Sequence, residues 1–117
     1  MHQDRRIVLA AGLLCLTLGA GAVAQKRPRV IRVNARRFVF TPNRIALKKG
    51  EPVTFELKTE DIFMGFSVPD FGVRSDIVPG KTMHLSLTPD KAGTFTFLCD
   101  VFCGDGHEGM SGQLVVT

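Results

Sequence analysis

Between Val30 and Ala35 the chain alternates: Ile31, Val33 and Ala35 fall on one side, Val30, Arg32 and Asn34 on the other. A period of two is the mark of a half-buried strand. Phe38, Val39 and Phe40 follow as an apolar run, which predicts that this strand continues past a bend or bulge near residues 35–37. Thr41-Pro42-Asn43 is a turn, residues 45–48 extend again, and Lys49-Gly50-Glu51-Pro52 turns once more. Val53, Phe55 and Leu57 then oppose Thr54, Glu56 and Lys58 in the clearest half-buried strand of the chain. Residues 60–65 break the alternation, and Phe66 and Val68 resume it until Pro69. Residues 70–79 read as a loop anchored by Phe71 and Val73, with a short Ile77-Val78 piece. Met83, Leu85 and Leu87 alternate with Thr82, His84 and Ser86, and Phe95 and Phe97 with Thr94 and Thr96; a last strand covers residues 113–117. Six to eight short strands separated by Gly and Pro predict an all-β, small antiparallel sandwich or barrel. Phe55, Phe95 and Phe97 are its expected core members.

The first 24 residues do not share this pattern. Arg5-Arg6, an apolar run from Ile7 and an Ala22-Val23-Ala24 exit read as a signal peptide, residues 1–24. Cleavage after Ala24 leaves residues 25–117 as one domain in the periplasm or outside the cell. The 18 residues from Ile7 to Ala24 are also long enough for an uncleaved membrane anchor. Gly12, Gly19, Gly21 and the small-residue exit favour cleavage. Leu14 before Cys15 argues against lipidation. No other stretch is long and apolar enough to be embedded in a membrane. A domain this short excludes a large two-domain enzyme, and its thin core would gain from a bound metal.

Charge adds little. The chain carries a net +4, which falls to +3 when Arg5, Arg6 and Asp4 leave with the leader. The basic excess lies early, in Lys26, Arg27, Arg29, Arg32, Arg36, Arg37 and Arg44. No base-stacking module accompanies it, so it reads as a solvated strand edge and tail, with no nucleic-acid partner.

Chemistry concentrates at the carboxyl end. Cys99-Asp-Val-Phe-Cys103-Gly-Asp-Gly-His107-Glu-Gly-Met110 holds two thiols, an imidazole and a thioether. A disulfide between Cys99 and Cys103 would close too short a loop to stabilise much through chain entropy. A thiol-disulfide protein would need accessible thiolates of low pKa and would leave His107 and Met110 without a role. Soft sulfur donors with a histidine select copper or zinc, and a thioether tilts the choice to copper. Glycines 104, 106, 109 and 112 let the loop fold back and present its donors to one point.

This stretch resembles the binuclear copper centre of cytochrome c oxidase subunit II, which nitrous oxide reductase shares, with its pattern Cys-x-Glu/x-x-Cys-Gly-x-x-His-x-x-Met. Residues 61–69, Asp-Ile-Phe-Met-Gly-Phe-Ser-Val-Pro, resemble the loop that carries the family's first histidine ligand, and residues 76–80, Asp-Ile-Val-Pro-Gly, the segment after it. The resemblance implies a cupredoxin-like Greek-key β-sandwich or barrel over residues 25–117. It implies that Cys99 and Cys103 are bridging thiolates, His107 a ligand to one copper and Met110 a weak ligand to the other. The backbone carbonyl of Val101 would be a further weak ligand. Met64 stands where the family has histidine. A thioether there would raise the reduction potential of a binuclear core, or leave a mononuclear Cys/Cys/His/Met site. Val101 replaces a glutamate that reaches a magnesium ion in the oxidase, and valine cannot coordinate one. Without a membrane hairpin or a Trp cluster, the chain resembles a free-standing relative rather than an oxidase subunit.

The implied role is a one-electron carrier, not a catalyst, partnered by a cytochrome or terminal reductase that docks near His107. Phe63, Phe66 and Phe102 are its candidate rim residues. A Cu(I) chaperone, store or sensor, partnered by a copper donor or acceptor, is the alternative that Met64 motivates; a thiol-disulfide protein is the third. His84 lies on the polar face of its strand and reads as exposed rather than as a metal ligand.

Overall fold

The computed structural model describes residues 27–117; the leader and any cleavage point lie outside the described residues. Among the described residues nine strands form: β1 (Arg29–Arg36), β2 (Val39–Thr41), β3 (Arg44–Leu47), β4 (Val53–Thr59), β5 (Met64–Val68), β6 (Val73–Ile77), β7 (Met83–Leu87), β8 (Gly93–Leu98) and β9 (Ser111–Val116). They make two sheets, ordered β2-β1-β4-β7 and β3-β9-β8-β5-β6, packed as a cupredoxin-like sandwich rather than a closed barrel.

Both sheets are mixed, which corrects the antiparallel expectation. β1 runs parallel to β4 with Ile31 opposite Phe55 and Val33 opposite Leu57, and β3 runs parallel to β9 with Ile45 opposite Leu114. Parallel partners must come from distant parts of the chain, so local alternation carries no sign of them. The predicted bend after β1 is a complete reversal: β2 folds back antiparallel, Ala35 facing Phe40. Residues 73–77, read as loop, form β6. It pairs with β5 on one side only and buries only Ile77, so the strand lacks a two-residue apolar period.

Ile31, Val33 and Ala35 point inward as their alternation requires, as do Val53, Phe55 and Leu57. The centre of the core is a phenylalanine cluster. Phe66 stacks on Phe97 at 5.0 Å between ring centroids and meets Phe55 at 5.3 Å and Phe40 edge-on at 5.7 Å. Phe55 and Phe97 are fully buried as expected, whereas Phe95 is only half-buried, capping Phe71 at 4.8 Å near the rim of the sandwich. Phe66 is not a rim residue: it is wholly buried, one β5 position of the same parity as Met64 and Val68.

Two contacts turn this frame into a support for the 99–110 loop. β8 and β9 are an antiparallel pair with Leu98 opposite Ser111, so the loop between them leaves and returns at one end of the sandwich. Phe38, just before β2, lies under the loop's glycines. A Cβ built at Gly106 would stand 2.6 Å from Phe38 Cγ, so the backbone passes over that ring only as glycine.

Candidate metal centre

Hydrogen bonds shape the loop before any side-chain chemistry enters. The Cys99 N–H donates to the Met110 carbonyl at 3.1 Å, extending the β8–β9 ladder by one step and closing the loop. Inside it the His107 N–H donates to Gly104 O, and a single 3-10 turn, His107–Gly109, follows. The Met110 N–H donates to His107 O at 3.1 Å. Side chains three apart in a 3-10 turn eclipse each other, so His107 and Met110 face the same way.

They face Cys103. Its Sγ lies 3.6 Å from His107 Nδ1, 3.8 Å from Met110 Sδ and 3.8 Å from Cys99 Sγ. The donor atoms of Cys99, Cys103 and His107 all fall within 4.8 Å of one another. Cys99 Sγ also meets the Val101 carbonyl oxygen at 3.1 Å, which brings that backbone group to the cluster. Both cysteines are free thiols, 2% and 3% exposed, and Met110 is buried beside them. His107 alone among the candidate side-chain ligands reaches toward solvent, beneath Phe102, whose ring lies 5.6 Å from the imidazole and is 74% exposed.

Met64 is wholly buried in the core, and none of these sulfur contacts includes it. Its position in β5 nevertheless places it at the right end of the sandwich. β5 and β8 pair with Ser67 opposite Leu98. β8 ends at Leu98, and beyond it Asp100 and Val101 lie against Gly65, the neighbour of Met64. Met64 and Cys99 are both buried in the same core cluster. His84 is exposed on β7, 3.7 Å from Glu56, outside the cluster.

The donor set fits a soft metal. Two thiolates bonded to one ion at roughly 2.3 Å in tetrahedral geometry sit about 3.8 Å apart, the separation the sulfurs already have. Two thiols, one imidazole and one thioether match Cu(I) better than any oxygen-seeking cation.

Burial also sets the protonation of the cluster. Burial, and then the hydrogen bond and charge of Cys99, push the Cys103 thiol up from an ordinary 9.0 to about 11; nearby Arg37 opposes this weakly. Cys103 is thus neutral at pH 7, and a metal bound there would have to displace its proton. The unfolded chain loses that proton near pH 9, so between about pH 9 and 11 it binds fewer protons than the native state. Apo stability accordingly falls as pH rises through this window. Thiolate absorbance followed against pH should show a component titrating near 11 that Cys103→Ser removes; no thiolate forming above pH 9 would contradict the burial effect.

Sequence reading missed the groups that hold the loop's flanks. Arg37 donates from its backbone N–H and its Nε to Asp61 Oδ2, both at 3.0 Å, tying the β1–β2 turn to the segment before Met64 and holding the Asp61 carboxyl below its usual range. Arg74 reaches Asp100 from β6. Asp100 could be seen next to Cys99, but nothing in the sequence paired it with residue 74.

The profile of the family described as Cupredoxin-like domain matches residues 7–116. The chain belongs to the cupredoxin-like domain family. This cupredoxin-like domain is 30% identical to cytochrome c oxidase subunit 2 of Thermus thermophilus over 99 residues, 83% of the chain and 73% of that relative. It is homologous to that subunit. It spans 59% of a second, longer subunit 2 from the same species, and so is shorter than the curated relatives it matches. Among solved structures, the periplasmic domain of cytochrome oxidase subunit II from Bradyrhizobium japonicum shares the fold, with a TM-score of 0.72 at 18% identity over 81% of this chain and 88% of that one. A copper binding protein solved by NMR in its apo form is 30% identical, with a TM-score of 0.63 over 80% of this cupredoxin-like domain and 92% of that chain.

Proposed function

We propose that this is an exported cupredoxin that binds copper at Cys99, Cys103, His107 and Met110, with Met64 and the Val101 carbonyl as further ligands, and passes single electrons to and from a redox protein. The observation that carries this reading is the convergence of the Cys99, His107 and Met110 donors on the Cys103 thiol, each within 3.8 Å. The homology to oxidase subunit 2 supports a redox partner and a place outside the cytoplasmic membrane. Bound there, copper supplies a one-electron couple. The chain's part is to keep the thiols dry, to hold the donors at nearly fixed spacing through both oxidation states, and to bring His107 and Phe102 to the surface where a partner can approach. Two coppers bridged by the thiolates is the favoured arrangement, with Met64 in place of the family's histidine.

The test is an electron paramagnetic resonance spectrum of the copper-loaded, partly oxidised protein. One hole shared by two equivalent copper nuclei gives a seven-line hyperfine pattern, and a single Cu(II) gives four. Four lines would remove the binuclear arrangement. Met64→His should bring the spectrum closer to that of the oxidase centre and lower the reduction potential, because imidazole favours Cu(II) more than a thioether does. If neither quantity moves, residue 64 does not touch the metal.

A second reading, a Cu(I) chaperone or store, draws on the softness of a set with two thiols and two thioethers and on the likeness to a copper binding protein. Transfer of Cu(I) to an acceptor, with no reversible one-electron couple, would favour it. The raised Cys103 pKa weighs against a thiol-disulfide role, which needs a reactive thiolate.

A further inference from the structure

One ion-pair network lies against the candidate centre without belonging to its donor set. Arg74, on the edge strand β6, sends Nε to Asp100 Oδ2 at 2.5 Å and Nη2 to Asp100 Oδ1 at 3.0 Å. This is a two-pronged, charge-assisted grip on the residue directly after Cys99. Nη2 also donates to Asp76 Oδ1 at 2.9 Å, which steadies the guanidinium from its own strand.

The grip has to cross β5, which lies between β6 and β8. It crosses at Gly65. A Cβ built there would collide with Asp100 Oδ1, stand 3.0 Å from Val101 Cγ2 and stand 3.1 Å from Arg74 Nη2. Arg74, Asp100 and Val101 therefore all occupy the space a side chain at 65 would fill. The outward face of β5 is cleared so that the loop can be fastened flat across it, while Met64 and Phe66 fill the inward face.

We propose that Arg74 is a positioning residue for the metal centre: its forked hold on Asp100 across Gly65 fixes the Asp100–Val101 turn, and so sets the Val101 carbonyl and the Cys99 thiol in register with Cys103. This rests on the copper-binding reading given above. The argument is geometric. Asp100 is flanked by Cys99 and by Val101, whose carbonyl already meets Cys99 Sγ at 3.1 Å. A turn free to rotate would carry both groups with it. A guanidinium suits the task because its planar fork fixes the direction as well as the position of a carboxylate, which an ammonium does not. Groups that hydrogen-bond directly to metal ligands are worth about 10–100-fold in metal affinity, and a hold exerted one residue away should fall at the lower end of that range.

The experiment compares wild type with Arg74→Gln, Arg74→Lys, Asp100→Asn and the double variant Arg74→Gln/Asp100→Asn. It reads backbone amide resonances in the apo state, Cu(I) affinity by competition with a chromogenic chelator, and the hyperfine pattern after partial oxidation. Expected for Arg74→Gln are shifted amides at Cys99 to Val101 with β1, β4 and β7 unmoved, affinity lower by about tenfold, and an altered hyperfine pattern. Asp100→Asn should do the same, and the double variant should be no worse than either single, since the two residues act as a unit. Arg74→Lys, which keeps the charge and loses the fork, should not restore affinity. Full rescue by Lys would overturn positioning in favour of simple charge balance. Wild-type affinity and spectrum in Arg74→Gln would overturn the proposal outright. Gly65→Ala, which dislodges Asp100 from beneath, should reproduce the affinity loss with Arg74 intact. Should wild type itself take up no copper, the copper-binding reading fails, and the apo amide shifts still decide whether Arg74 holds the turn.

Discussion

Cys103→Ser removes stoichiometric Cu(I) uptake by the reduced protein while the fold persists. The reason lies in the contact pattern. Among the described residues, Cys103 is the one whose donor atom meets those of Cys99, His107 and Met110, at 3.6–3.8 Å. The other donors meet one another chiefly through it. Serine keeps the shape but offers a hard oxygen that a soft cation does not prefer. The expected loss exceeds the about 10–100-fold that follows when only a supporting hydrogen bond is removed. Met110→Leu should fall well short of this, because it deletes one weak donor at the edge of the cluster. A chelator competition titration on the three proteins checks the order. Equal affinity for Cys103→Ser and wild type would move the metal site elsewhere, and with it the whole functional reading.

The second large effect concerns the frame. Phe66→Ala should destabilise the apo protein by about 3–5 kcal/mol. Phe66 touches Phe40, Phe55 and Phe97, so its ring joins residues from both sheets. Its removal leaves a cavity whose walls belong to opposite layers and cannot collapse easily. Against a typical domain stability of about 5–15 kcal/mol, that loss brings the protein close to unfolding. Phe95→Ala, at a half-buried ring on the rim, should cost clearly less. Urea melts of the two variants test the contrast; equal midpoints would deny Phe66 its central place. Copper binding by Phe66→Ala should weaken only as far as the folded fraction falls.

How far these features were legible from sequence follows from how local they are. The alternations of β1, β4 and β7 were readable because each strand buries one face, and the inward residues repeat every second position. The donor cluster was readable because four of its side chains sit within one twelve-residue stretch, from Cys99 to Met110. Met64 could be nominated only through the resemblance, since it arrives from β5. β6 escaped notice because an edge strand with one buried residue shows no period. Phe66 was misplaced for a related reason. The irregular segment 60–63 obscures that β5 begins at Met64, and a phenylalanine beside a presumed ligand loop looks like surface. The parallel pairings and the Arg74–Asp100 grip join residues more than twenty positions apart, and no local pattern encodes such partners.

The closeness of the donors along the chain bears on thermodynamic linkage. Cys99, Cys103, His107 and Met110 remain near one another even when the sandwich has come apart, because only a short tether separates them. A denatured chain therefore retains some hold on the cation, and a ligand shared by both ends of an equilibrium shifts it less than its native affinity alone implies. Copper should protect this domain from melting by less than its tightness for the folded form would suggest, and the shortfall measures how much of the chelate survives without the sheets.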